Sequence, residues 1–337
     1  RDVSEAFQPQ HYRHYAAQIH RAALDAAARL AHDSEVDLEA EMLKLSLDII
    51  GKTLFSVNLL DQANELSRAV AEILRHLTAR IQNPLSLGLG GTRAAVRLLD
   101  TMIFKMIEAR RVQHSPPPDL LTSLVRLELS TLEIRDALMN LFVAGHETSG
   151  TSLAWTLYLL ATHPAPLARL QAEVRERIGS REVNLEAAGQ LPYTLQTIKE
   201  SMRLYPPVHS LGRQARRAVR IGRHELKRGA LVVVSTYLLQ RREDYFSEPL
   251  LFKPERFETQ AEAVIPKNAY LPFGLGARAC IGKHFALLQA QIILATLATR
   301  VRFEVQAGTP AQPEMLITLR PRNGIRARVQ TLKVGAS

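Results

Sequence analysis

The chain has 337 residues, 46% of them apolar and 23% charged, which suffices for a large core and excludes a disordered or repeat protein. Its single cysteine, Cys280, excludes a disulfide framework and a multi-thiolate zinc or iron–sulfur site. The formal charge of +10 invites a nucleic-acid reading, but acids are interleaved with bases, as in Arg241–Asp244, and no basic run alternates with aromatics, so a solvated basic surface suited to an acidic partner is expected.

From about Pro9 to Arg111 the apolar spacing is helical, with Leu24, Ala27, Ala28 and Leu30 on one face and Leu43, Leu47, Ile50 and Leu54 on another. Gly and Pro content predicts a loop over Asn83–Thr92, and a helix from about Arg93 to Arg111 ends before the prolines at 116–118. Ser130 and Glu133 have capping-box spacing. No proline intervenes until Pro164, so a helix of ~32 residues, about 48 Å long, is expected there. Its run Leu138–Gly145 is apolar nearly all round and predicts central burial. Two further helices are expected at about Pro166–Ile178 and Pro192–Tyr205. Strands are expected only later, at 231–237, 303–305, 316–319 and 325–329, with a last helix over about 282–300. The pattern is a mainly α protein with small β-sheets.

Cys280 stands at the end of Phe273-Gly-Leu-Gly-Ala-Arg-Ala-Cys-Ile-Gly282. A lone cysteine is ordinarily a small buried hydrophobe. Here glycines at 274, 276 and 282 let the backbone approach something flat or bulky. A following helix start and Arg278 favour an anionic sulfur. Such a thiolate is a nucleophile or a metal ligand. A nucleophile needs a base, and His284 falls on a surface-like stretch beside Lys283. One thiolate suffices for haem iron, whose other in-plane bonds come from the porphyrin.

The pattern Phe273-x-x-Gly276-x-Arg278-x-Cys280-x-Gly282 resembles the haem-binding signature of the cytochrome P-450 family at every fixed position. Three more segments resemble the family's motifs in the family's order: Ala144-Gly-His-Glu-Thr148, Glu200-Ser-Met-Arg203 and Phe252-Lys-Pro-Glu-Arg-Phe257. The resemblance covers essentially the whole chain. It implies the cytochrome P-450 architecture, with a long central helix over haem b and a Cys-ligand loop beneath it, and Cys280 as the axial iron ligand. Phe273, Gly274, Gly282 and Ala144 would contact the haem, while Arg278 and Arg213 would pair with its propionates. Glu200, Arg203 and Arg256 would form a buried structural network behind the loop. Thr148 would hold bound oxygen and Glu147 would supply protons, whereas His146 is expected to pack or face solvent. Val143, Ala144 and Val208 would line an apolar substrate pocket.

The activity so implied is a monooxygenase inserting one atom of O2 into a hydrophobic organic substrate. Electrons would come from NAD(P)H through a separate ferredoxin or flavoprotein reductase, docked on the basic surface around Lys283. Alternatives are a peroxide-driven or rearranging haem-thiolate enzyme, which needs no acid–alcohol pair, and a non-catalytic haem carrier. A nucleic-acid binder is the remaining rival. The family's Trp-x-x-x-Arg helix has no counterpart here, and Arg1–Phe7 resembles the residues that follow it. The chain therefore reads as one domain, 1–337, lacking an N-terminal part, and as a cytoplasmic protein of bacterial type. Gln240-Arg241-Arg242 stands where His-Arg-Asp is usual, a change expected to affect only local hydrogen bonding. The segment between Pro118 and Ser130 is short for the family.

Overall fold

The computed structural model of the protein describes residues 2–83, 91–305 and 310–332, so most of the loop expected over Asn83–Thr92 lies outside the described residues. Helix α1 (Pro9–Leu30) begins with proline at its first position, where no backbone N–H is needed. The expected helical stretch is then broken by a short strand, β1 (Glu35–Asp37). Asp37 ends that strand and caps α2 (Leu38–Leu54), its carboxylate accepting from the Glu39 amide at 3.0 Å. Helices α3 (Ala63–Gln82) and α4 (Gly91–Arg111) follow. After the three prolines comes a short helix the sequence did not predict, α5 (Leu120–Arg126), capped by Asp119.

The long central helix α6 (Thr131–Thr162) has the expected 32 residues. Both capping-box bonds are present: the Ser130 amide donates to Glu133 Oε2 at 2.8 Å, and the Glu133 amide donates to Ser130 Oγ at 3.2 Å. Burial along α6 differs from the expectation. In Leu138–Gly145 only Leu138 and Phe142 are buried, and Ala144 is exposed, whereas Leu153–Leu160 is buried throughout. An apolar run is needed wherever a cavity, as well as a core, lies against a helix.

Helix α7 (Pro164–Arg177) starts two residues before the expected Pro166, because Pro164 itself takes the first helical position. Helices α8 (Leu185–Gly189) and α9 (Pro192–Leu204) come next. Then β2 (Ser210–Gln214), β3 (Val219–Ile221), β4 (His224–Leu226) and β5 (Leu231–Ser235) succeed one another. Strand β5 stops at Ser235, short of the expected 237. The Ser235 hydroxyl accepts from the Leu238 amide and opens a helical turn, α10 (Thr236–Leu239). The remaining elements are α11 (Thr259–Ala263), α12 (Lys283–Ala298), β6 (Val301–Val305), β7 (Pro313–Met315), β8 (Leu319–Pro321) and β9 (Arg326–Thr331). The strand expected at 316–319 is largely the turn between β7 and β8, where the Leu316 amide donates to the Glu314 and Thr318 carbonyls.

All strand pairs are antiparallel: β1-β9-β6 in one sheet, and β2-β5, β3-β4 and β7-β8 as two-stranded ribbons. Strands before residue 231 had not been expected. Three-residue strands such as β1 carry too few side chains for a period-2 signal, and β1 exists only through its pairing with β9, far along the chain. Helix α6 packs on α2, α4, α9, α12 and β6. Its closest approach is to α2, where a Cβ added at Gly150 would lie 2.8 Å from Leu43 Cα.

Candidate active site

The loop carrying Cys280 is shaped by two glycines and one hydrogen bond. Gly274 (φ +69°) and Gly276 (φ +71°) occupy the left-handed region that favours glycine. They fold the chain back so that the Cys280 amide donates to the Phe273 carbonyl at 2.8 Å. Gly282 has an ordinary φ of −83°. A Cβ there would sit 3.6 Å from the Phe7 ring and 3.9 Å from Cys280 Sγ, an ordinary fit, so within this chain neither backbone nor packing demands glycine at 282.

Above the loop lies a cavity of about 270 Å³, near the lower end of the ~300–1,000 Å³ typical of ligand sites. Ala144, Thr148, Ser149, Ser152 and Leu153 of α6 form one wall. Opposite stand Phe273, Gly274, Arg278 and Cys280, with Ala286, Leu287, Gln289 and Ala290 of α12. Ile198, Met202, Val208 and Leu211 add apolar surface. Of the expected site residues, Ala144, Thr148, Val208, Phe273, Gly274, Arg278 and Cys280 thus meet around one space, whereas Val143, Glu147, Arg213 and Gly282 are not part of its lining. Arg213 is exposed on β2 and donates to the Gly212 carbonyl at 2.8 Å.

The sulfur's environment runs against the expected anionic thiol. Although Cys280 opens on the cavity, the protein packed around its sulfur pushes the thiol up, and a hydrogen bond from the Gly282 backbone offsets this only in part. A metal ion reverses that balance, because a coordinating thiol is deprotonated outright. His284 and Lys283 are both exposed, as expected.

Thr148 and Glu147 are neighbours in sequence that face different surroundings. The Thr148 hydroxyl donates to the Ala144 carbonyl at 2.5 Å, leaving its oxygen lone pairs to accept from the cavity. Glu147 is buried, and its Oε1 accepts from Thr318 Oγ1 at 3.0 Å and lies 3.9 Å from Arg320 Nη1. Its Oε2 is buried without a partner among the described residues. Arg320 also pairs with Glu39 at 3.0 Å, so two carboxylates share one guanidinium. Burial pushes Glu39 up to about 7 despite Arg320. His146 packs, being fully buried, with Nε2 3.0 Å from Ser67 Oγ, and burial pushes its ring down to about 4.

Behind the loop, Glu200 and Arg203 are completely buried and joined by two bonds of 2.7 and 2.8 Å. Arg203 donates further to the carbonyls of Gln240 (2.8 Å) and Pro249 (2.7 Å). Glu200 Oε1 also accepts from the Lys253 amide at 2.9 Å and from Arg256 Nε at 3.2 Å. These three residues form one hydrogen-bonded cluster, with no leftover charge on the buried pair.

Two residues were missed by reading the sequence. Gln240, set aside as a local change, is fully buried and bridges the cluster to the loop. Its Nε2 donates to the carbonyls of Met202 and Arg203 at 3.0 and 3.1 Å, and its Oε1 accepts from the Leu271 amide at 2.9 Å. Gln289 lines the cavity with both amide atoms buried and unpartnered among the described residues. Its only signal in sequence was one polar side chain in the otherwise apolar run Phe285–Ala290.

The donor set fits a haem: one accessible thiol, an arginine at the cavity without a carboxylate partner among the described residues, apolar walls and the small Ala144 facing in. Residues 4–326 match the family cytochrome P-450. The chain is 32% identical over 318 residues to Protein LUTEIN DEFICIENT 5, chloroplastic, of Arabidopsis thaliana, which covers 85% of this chain and 53% of that protein. It is 31% identical over 289 residues to cyclooctat-9-en-7-ol 5-monooxygenase of Streptomyces melanosporofaciens, covering 81% of this chain and 63% of that one. The crystal structure of a cytochrome P-450 superposes with a TM-score of 0.85 at 26% identity, over 98% of this chain and 77% of the other. The chain thus spans between about half and two thirds of the length of these curated relatives.

Proposed function

Because the chain belongs to the cytochrome P-450 family, we propose that it is a haem-thiolate monooxygenase acting on an apolar organic substrate, its residues 1–337 forming part of one such domain. The observation that carries this reading is the meeting of Cys280, Arg278 and Thr148 around one apolar cavity. Cys280 would hold the iron, and Arg278 would pair with a propionate. When bound, haem supplies the activation of dioxygen, and a thiolate ligand favours O–O cleavage.

The chain's own groups do the rest. Ile198, Val208 and Leu211 keep water from the substrate and favour an apolar molecule. Thr148, its proton committed to the Ala144 carbonyl, accepts a hydrogen bond from a protonated group in the cavity. Glu147, next in sequence to Thr148, accepts from Thr318 and, on leaving that partner, would take a proton from water and pass it into the cavity. The relative from Streptomyces melanosporofaciens, named as a monooxygenase of cyclooctat-9-en-7-ol, supports an apolar substrate class.

After haem loading, the ferrous carbon-monoxide spectrum is expected to be of thiolate type, and label from isotopic dioxygen to enter the product. In Thr148→Ala the same assay should consume reductant without matching product. An imidazole-type spectrum, or full coupling in that variant, would overturn the reading. Electrons would come from NAD(P)H through a separate acidic ferredoxin or flavoprotein, and the exposed Lys283, beside the Cys280 loop, would dock it in a cytoplasmic setting. Lys283→Glu should slow reduction at low salt, and unchanged stopped-flow traces would remove this docking site.

A further inference from the structure

Half of the chain's formal net charge sits in one small ribbon. Residues 216–228 hold Arg216, Arg217, Arg220, Arg223, Lys227 and Arg228 against a single carboxylate, Glu225, in a chain whose total is +10. The expectation of evenly interleaved charge therefore fails here. All six cations are exposed, and none is ion-paired with a carboxylate among the described residues. Among the described residues, Arg220 alone of the six makes a side-chain hydrogen bond, from Nε to the Gly222 carbonyl at 3.2 Å.

The ribbon is an arm. Strands β3 and β4 pair only with each other around Gly222 (φ +56°), and the arm springs from the end of the β2–β5 ladder, where Ala215 and Ala230 are bonded at 2.9 Å. One face carries Val219, Ile221 and Leu226, since Val219 stands opposite Leu226 and alternates with Arg220. Val219 is 42% and Ile221 53% exposed. A two-stranded ribbon with half-bare aliphatics and unpaired cations is marginal alone and suited to a surface that is both anionic and apolar.

We propose that the β3–β4 arm docks the protein on an anionic phospholipid bilayer, its arginines on the lipid phosphates and Val219 and Ile221 at the acyl boundary. Arginine's planar fork matches phosphate geometry. Residues 206–236 contain no Phe, Tyr or Trp, so the arm offers no stacking platform for nucleic acid. An acidic protein would engage the cations but has no need of bare aliphatics around them. The arm continues from β2, whose Leu211 lines the cavity, so docking brings that wall towards the phase in which apolar molecules dissolve.

The test is flotation of the full chain with phosphatidylcholine vesicles, with and without phosphatidylglycerol, and needs no bound haem. Binding is expected only with the anionic lipid, and it should weaken with salt. Each cation removed should lower the partition coefficient about fivefold, so Arg216→Ser with Arg217→Ser costs roughly 25-fold. Ile221→Ser should weaken binding severalfold without changing its salt dependence. Thermal melts check that these exposed substitutions leave the fold intact. Equal binding to neutral vesicles, no binding to either, or an unaffected Arg216→Ser/Arg217→Ser variant overturns the proposal. So does displacement by duplex DNA with Ile221→Ser silent, which would make the arm a nucleic-acid surface, or capture of an acidic protein with no vesicle binding.

Discussion

Arg203 is a completely buried cation whose fork is fully used: two bonds to Glu200 and further bonds to main-chain carbonyls. A lysine keeps the charge but cannot span those acceptors, and a buried charge left short of partners costs about 3–5 kcal/mol. Arg203→Lys should therefore lower the unfolding free energy from urea melts by about that amount without altering the exposed surface; a loss under about 1 kcal/mol would show that the cluster relaxes. Cys280, Glu200 and Arg203 were legible in sequence because fixed spacings tie each to its neighbours. Gln240 and Gln289 were not, since nothing local tells which way an amide on a turn or an apolar helix points. Arg213 lies outside the cavity lining, on β2, and several exposed arginines follow it.

At the scale of elements, the crossing of α2 and α6 sets the cavity's far wall. A methyl at Gly150 would meet Leu43 backbone and side-chain atoms at 2.8 Å, and backbone of another helix cannot yield cheaply. Gly145 also has a contact of 2.8 Å, but with Ile50 Cδ1, the free end of a side chain that can rotate. Alanine gains about 1 kcal/mol of helix propensity at both places, whereas overpacking costs about 1–3 kcal/mol. Gly150→Ala is thus expected to destabilise, while Gly145→Ala should be near neutral; equal thermal midpoints for the two would refute the distinction. Helix α6 itself was predicted to its full length because its cap, its proline stop and its apolar content agree. Strand β1 leaves no local signal because its partner β9 lies far along the chain, and β3 and β4 are too short to show one; 316–319 reads as a strand because a β-branched run also occurs in a turn held by its own carbonyls.

For the whole molecule, two buried groups near Arg320 give opposite pH dependence. Glu39, raised from 4.5 to about 7, contributes stability that is present below the unfolded value and lost as pH rises through the folded one. His146, lowered from 6.5 to about 4, contributes stability present above 6.5 and lost as pH falls. His20, also pushed down by burial, adds to the second slope. Over the shared window the slopes largely offset each other, each being worth on the order of 2–3 kcal/mol. Glu39→Gln should leave a chain that weakens in acid, and His146→Asn one that weakens towards neutrality, as read from urea midpoints between pH 4.5 and 7; profiles matching the unmodified chain would sink the assignment. Mainly helical architecture with minor sheets was readable from the sequence, since periodicity is local, while the concentration of charge on one arm required knowing what each cation lacks. Gln240 carries a last consequence. The cysteine loop has only the short 3-10 turn Gly276–Arg278 of its own and is anchored by an amide whose other end grips the Met202 and Arg203 carbonyls at the end of α9. The direction in which the sulfur faces therefore depends on a side chain far upstream of it, held on α9 and not on the loop's own neighbours.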